Sequence, residues 1–373
     1  MKALLVAPMG SVHRLYNTAN INALKDLGYE IHLAANFDNA DGAENKNQEY
    51  VKKCRANGII IHSIPFKRHS LLGNLTQLKS IKDLVNKNFD IIHAHTETGG
   101  LLLRLAGLFN KKGRFIYTAH GMSFYKGSSL KSQLIYRPIE WWICSGMDAN
   151  IAINKEEYKV LKLWNNKSAK YVHGVGLDLE RVKNNTKDRA TTRAEIGIPE
   201  DAKVILSIGE LDDNKNHQVV IKALASIKEK NVHYVICGVG DNKDLLMKLA
   251  AENGLSEQVH LLGFRNDIPD IIHACDIFAF PSFHEGLPVS LSEAMAGGLP
   301  VVCSEIRGNV DLVRNGKNGF LADPADNNSW VRVLTVMLHD RKMLDTFTKV
   351  SGKVINKYSI DSVYDEIKNV YMG

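Results

Sequence analysis

Short apolar runs alternate with amphipathic stretches along the whole chain. In the first half the runs are "ALLVAP", "YEIHLAAN", "IIIHSIP", "DIIHAH", "RFIYTAH", "ANIAIN" and "KYVHGV". Between most of them lie segments such as "LTQLKSIKDLVNKN" (75–88), with the periodicity of surface helices. The runs are continuous rather than alternating, which predicts parallel strands covered on both faces. Residues 178–201, "DLERVKNNTKDRATTRAEIGIPED", then break the pattern; polar and strand-free, they read as a linker. A second series follows: "KVILSIGE", "VHYVICG", "QVHLLGF", "DIFAFPS", "PVVCS" and "GFLA". The end, "SIDSVYDEIKNVYMG", is one more amphipathic helix.

The pattern predicts an α/β protein of two doubly wound, Rossmann-like domains: 1–178, a linker over 179–202, and 203–356. A chain of 373 residues is too long for one core, which agrees with two domains. In open α/β sheets ligands sit beyond the carboxyl ends of strands, so two sheets facing each other would hold a ligand in a cleft.

Composition narrows the setting. Five scattered cysteines with no C-x-x-C pair argue for reduced thiols and a cytoplasmic protein, not a disulfide framework or a zinc site. The opening "MKALLVAPMGSVHR" reads as a first strand and not a secretory signal, and no run approaches the length of a membrane span. The net charge of +6 is unevenly spread: residues 1–180 hold 24 Lys and Arg against 15 Asp and Glu, and the rest 23 against 26. The excess lies between Val51 and Arg137, with 15 basic and 3 acidic residues. It reads either as a solvated face or as attraction to an anionic membrane surface; the aromatic-interleaved clusters of nucleic-acid binders are not evident.

The candidate chemistry begins at "FHEGLPVSLSEAMAGGLP" (283–300), a turn, a short helix and a Gly-Gly stop. Pro288 suits the first helical position. Amides at a helix start attract phosphate, and Gly286 lets backbone approach closely. Glu293 has no cation three or four residues away, so its partner lies elsewhere in the fold or in a ligand. Phosphate at the helix mouth, by Gly286 and Leu287, with Glu293 on neutral hydroxyls describes a nucleotide. A capped helix with one buried, hydrogen-bonded Glu is the plain alternative.

"EGLPVSLSE" resembles the E-x7-E motif of retaining glycosyltransferases with the GT-B fold, family 4. Further segments are similar in the same order: "YTAHGMSFYKG" (117–127), "HGVGLDLERV" (173–182), "GELDDNKNH" (209–217), "CGVGDNKDLL" (237–246) and "RGNVDLVRNGKNGFL" (307–321). The resemblance implies that Glu285 lies near the donor sugar, that Glu293 binds the donor ribose, and that His120 is the active-site histidine. It places Lys215 on the donor diphosphate, and implies that the C-terminal helix (357–373) crosses back onto the first domain. Gly10, ending "APMG", suits a turn or the approach of a phosphate or acceptor, whereas "GVG" at 238–240 is read as a simple turn. The family usually has Arg where this chain has Glu210. A carboxylate there would repel phosphate, so Arg307, paired with Glu210, is the expected substitute cation, with Arg265 as a second candidate.

The implied function is retaining transfer of a sugar from a nucleotide-diphosphate sugar, with UDP favoured, to a saccharide or polyprenyl-linked acceptor in capsular or other surface polysaccharide synthesis. Without a D-x-D sequence no metal or other cofactor is expected. The inner face of the plasma membrane is a candidate location, and "KGSSLKSQLIYRPIEWWI" (126–143) mixes cations with Trp141, Trp142 and Tyr136 in a way that suits either an interface or core packing. A nucleotide-sugar epimerase and a non-catalytic two-lobed sugar-binding protein are the competing readings.

Overall fold

The computed structural model describes residues 1–38, 44–67, 72–108, 112–125 and 127–373. The chain divides into two compact units, Met1–Gly176 with Ile360–Gly373, and Leu177–Ser359.

The first unit is built on seven strands: β1 (Lys2–Met9), β2 (Glu30–Asn36), β3 (Ile60–Ser63), β4 (Ile91–His95), β5 (Arg114–Ala119), β6 (Ala149–Ala152) and β7 (Ala169–Tyr171). Their order is β3-β2-β1-β4-β5-β6-β7, and all pairs are parallel. Ala3 to Ala7 of β1 are fully buried, as a central strand between two helical layers requires. The second unit has six: β8 (Lys203–Ile208), β9 (Val232–Cys237), β10 (Val259–Gly263), β11 (Ile277–Phe280), β12 (Val301–Ser304) and β13 (Gly319–Ala322). Their order is β10-β9-β8-β11-β12-β13, again parallel. In each sheet the strand order reverses once, between β1 and β4 and between β8 and β11. These reversals open a crevice at the carboxyl ends of the flanking strands.

Residues 179–202, expected as a linker, are instead part of the second unit. Two short helices, Leu179–Lys183 and Arg189–Glu195, are capped by Asp178 and Asp188. Arg193 is buried, donating to the carbonyls of Ala274, Glu200 and Ala202 and pairing with Asp276 at 2.9 Å. A polar sequence therefore folds because one guanidinium satisfies several buried acceptors.

The last helix, Ile360–Met372, packs on Thr18–Asp26 of the first unit. Val363, Ile367, Val370 and Tyr371 form its buried face. Arg114 closes the helix end by donating to the carbonyls of Val370 and Tyr371.

Candidate active site

In the second unit three loops converge at the β8/β11 crevice. The loop after β8 (209–216) is laced to the loop after β11: Phe283 N donates to Asn214 O at 2.8 Å, and His284 N to Asn214 Oδ1 at 3.1 Å. Asn216, in the left-handed region at φ 51°, reaches the carbonyls of Pro281 and Pro324. The "GVG" glycines have a packing reason beyond the expected turn. A Cβ on Gly238 would lie 1.8 Å from Gly209 O, and one on Gly240 2.4 Å from Leu211 O. They let the 209–216 loop cross directly over β9.

Lys215 Nζ lies 2.6 Å from Glu285 Oε1 and 5.3 Å from the centre of the Phe280 ring. Both charged side chains are largely shielded, at 20% and 14% exposure. The helix that follows is Val289–Ala296. Pro288 is not its first helical residue, as the sequence suggested, but the residue before it, extended at φ −77°, ψ 117°. The amides of Val289, Ser290 and Leu291 thus open the helix without intrahelical acceptors, and no side chain caps them.

Glu293 finds its partner 112 residues away. Arg181, from the segment read as linker, donates to Glu293 Oε1. Burial pushes the Glu293 carboxyl above the usual range, and Arg181 opposes that shift. The guanidinium is half-exposed while the carboxylate is mostly covered.

Arg307 is buried, and its Nε donates to the carbonyl of Glu285 at 3.0 Å. Beside it Gly308, at φ 79°, leaves no room for a Cβ, which would meet Gly286 O at 2.3 Å. This third loop fixes the backbone carrying Glu285, Gly286 and Leu287. Arg265 does not join the cluster by any described bond; it forms a two-pronged pair with Asp267 at 2.9 and 2.5 Å. Glu210 is exposed, and its carbonyl accepts from His217.

At the β1/β4 crevice of the first unit lie four histidines: His13, His93, His95 and His120. His120 Nε2 is 3.0 Å from His95 Nδ1, and its ring stacks on Tyr16. Sequence reasoning named His120 alone. The network around His93 fixes its tautomer. The Tyr371 hydroxyl donates to Asn20 Oδ1, so it accepts from His93 Nδ1–H at 2.8 Å, and His93 Nε2 accepts from Thr118 at 2.7 Å. His13 Nε2–H donates to Ala34 O while its Nδ1 accepts from Asn17. Burial lowers all four: His13 and His120 to about 4, His93 to about 3, and His95 well below its ordinary value. The cluster is neutral at physiological pH. Among the described residues His95 Nε2 and Thr96 Oγ1 are buried without a hydrogen-bond partner.

Gly10 lies beside this cluster as the first residue of the helix Gly10–Tyr16. Its missing Cβ is accounted for by its own unit, since a Cβ would stand 2.7 Å from the Phe37 ring. The five cysteines are buried and free, and no group of His, Cys, Asp and Glu among the described residues is placed to hold a metal ion.

Two doubly wound, all-parallel units are the architecture of the GT-B fold, and the family matches make the chain a glycosyltransferase of that fold. The chain belongs to the family 4 type of these transferases: "Glycosyltransferase Family 4" matches residues 15–181 and "Glycosyl transferases group 1" matches 188–353. EpsD of Bacillus subtilis (strain 168) is 29% identical over 380 residues, spanning 99% of this chain and 96% of that protein. The Escherichia coli UDP-Gal:alpha-D-GlcNAc-diphosphoundecaprenol alpha-1,3-galactosyltransferase is 29% identical over 318 residues, 81% of this chain and 82% of its own. Anabaena HepE, solved in complex with UDP, superposes with a TM-score of 0.81 over 100% of both chains at 20% identity. Transferase chemistry thus replaces the epimerase and binding-protein readings.

Proposed function

We propose that this chain transfers a sugar from a UDP-sugar to a saccharide hydroxyl on a polyprenyl-linked acceptor, with retention at the anomeric carbon, in surface polysaccharide synthesis at an anionic membrane face. The observation that carries it is the convergence of Lys215, Glu285 and the uncapped Val289–Leu291 amides on one crevice, with Glu293 further along the same helix. A diphosphate at the helix mouth meets amide donors and the lysine, and the ribose hydroxyls donate to Glu293. The UDP complex of HepE supports the choice of nucleotide, and the name of the Escherichia coli relative supports both UDP and a polyprenyl-diphosphate acceptor.

In the reaction the bond from the anomeric carbon to the diphosphate oxygen breaks and the bond to the acceptor oxygen forms. The acceptor's proton passes to the departing phosphate oxygen. Negative charge grows on that oxygen, and the helix amides with Lys215 stabilise it, so no divalent metal or other cofactor is invoked. Lys215 is already oriented by Glu285, which in this reading also contacts the donor sugar. Arg307 braces the Glu285 backbone and supplies the cation that Glu210 cannot. His120, neutral and hydrogen-bonded to His95, lies with Gly10 on the acceptor side, where the open His95 Nε2 and Thr96 Oγ1 offer partners to a sugar hydroxyl.

Incubation with a panel of nucleotide sugars and an undecaprenyl-diphosphate-linked saccharide tests this reading. Transfer from a UDP-sugar with an unchanged anomeric configuration by NMR is expected. Inversion, or turnover only with another nucleotide, overturns it.

A further inference from the structure

The helix Leu130–Ser145 faces outward with the wrong residues for a solvated surface. Its inner side is complete: Glu140, Ile143 and Cys144 are buried, and Glu140 accepts from the Tyr117 hydroxyl. On the outer side Leu130 is 82% exposed, Leu134 77%, Ile135 44% and Trp141 50%. At 100° per residue, Leu130, Leu134, Arg137 and Trp141 fall within an arc of roughly 60°. They form one stripe. The adjacent tryptophan has a different fate, since Trp142 lies under the Arg104 guanidinium at 4.9 Å. The pair weighed together in the sequence is therefore split: one ring packs and the other is offered outward.

Charge says what covers the stripe. Between Gly127 and Lys170 the exposed charged residues are Lys131, Arg137, Lys155, Lys159, Lys162 and Lys167, against Asp148 alone. Asp148 is engaged, accepting from Phe115 N. The neighbouring helix Lys155–Asn165 adds Leu163, 82% exposed. Leucines and a half-exposed tryptophan ringed by cations are poorly matched to water and well matched to an anionic headgroup layer over acyl chains. Among the described residues no helix is long and apolar enough to cross a membrane. Lys126, the first residue of the segment singled out in the sequence, lies outside the described residues.

We infer that the outer face of the helix Leu130–Ser145 is a docking surface for anionic lipid bilayers, with Leu130, Leu134 and Trp141 inserted at the headgroup boundary and Lys131 and Arg137 on the lipid charges. This deepens the reading above by naming the surface that brings the enzyme to a lipid-borne acceptor. Attachment itself needs neither donor nor acceptor.

The test is flotation of the full chain with phosphatidylglycerol–phosphatidylethanolamine vesicles and with phosphatidylcholine vesicles, at low and high salt. The chain is expected to float with the anionic vesicles and to be released by salt. Lys131→Gln with Arg137→Gln lowers the partition coefficient roughly thirtyfold, at about 1 kcal/mol per cation near the surface. Leu130→Ser with Leu134→Ser and Trp141→Ser lowers it at least tenfold. Thermal stabilisation by UDP, read on every variant, reports donor binding separately and shows that each variant is folded. Should the apolar variant misfold, quenching of tryptophan fluorescence by bromolipids in the unaltered chain decides instead, because Trp141 is the exposed ring. Absence of flotation, flotation of both variants like the parent, or no bromolipid quenching overturns the inference. So does a concentration-dependent dimer that the serine substitutions dissolve, which assigns the face to a second copy.

Discussion

The hydroxyl of Tyr371 accepts from His93 Nδ1 at 2.8 Å and ties the last helix to the middle of the first sheet. Through Asn20 and Asn17 the same chain of bonds reaches His13, and through ring contact at 4.2 Å it reaches His95, the partner of His120. The members are neutral, and the bonds they make fix the tautomers of His13 and His93. Tyr371→Phe leaves the His93 N–H and the Asn20 oxygen without their partner in the interior. The expected cost is about 2 kcal/mol, or roughly 5 °C in melting temperature for a unit of this size. An unchanged melting temperature would contradict the network.

The same histidines set a pH dependence. Their folded pKa values, about 4 for His13 and about 3 for His93, lie below the ordinary 6.5, so the unfolded chain binds more protons in between. Stability is complete above the ordinary value and is lost as the pH falls from there towards the folded values. The slope is up to about 1.4 kcal/mol per pH unit for each histidine. Replacing His93 by Gln should flatten the fall in melting temperature on acidification, and identical slopes in the two proteins would rule out His93 as a contributor.

Burial pushes the Glu293 carboxyl up, and the Arg181 guanidinium opposes that shift. Without the guanidinium the carboxyl shifts further up, and less of it is ionised to accept from ribose hydroxyls. Arg181→Ala should raise the donor KM about tenfold, more at about pH 6 than at about pH 8. A KM that neither rises nor depends on pH would show that Glu293 does not need its partner.

Lys215 and Glu285 are coupled, so their substitutions should not add. Lys215→Ala leaves Glu285 shielded and unpaired and removes the charge proposed to face the diphosphate; kcat should fall about 100-fold or more. Glu285→Gln alone should also lower kcat. The double variant should lose far less than the product of the two, and strict additivity in a double-mutant cycle would contradict a shared role.

Much of this architecture was legible in the chain. Each strand falls on one of the apolar runs, with β7 displaced so that it starts at Ala169, ahead of "KYVHGV". Continuous burial on both faces is what makes such runs readable. The absence of a cation near Glu293 correctly signalled a distant partner. Arg181 itself was invisible, because a pairing across 112 residues leaves no periodic trace. The segment 178–201 was misread for a related reason. Its polar residues look solvated one by one, yet Arg193 is buried once the carbonyls of Ala274, Glu200 and Ala202 surround it. Gly10 shows the converse limit, since a missing Cβ announces close approach without saying whether Phe37 or a ligand approaches.

The central claim is a nucleotide seated at the start of the Val289–Ala296 helix. A crystal structure of the full chain with UDP tests it most directly. The account predicts the diphosphate on the amides of Val289, Ser290 and Leu291 with Lys215 beside it, and both ribose hydroxyls within hydrogen-bond reach of Glu293. A nucleotide bound elsewhere, or one whose ribose leaves the Arg181–Glu293 pair untouched and unapproached, would contradict it.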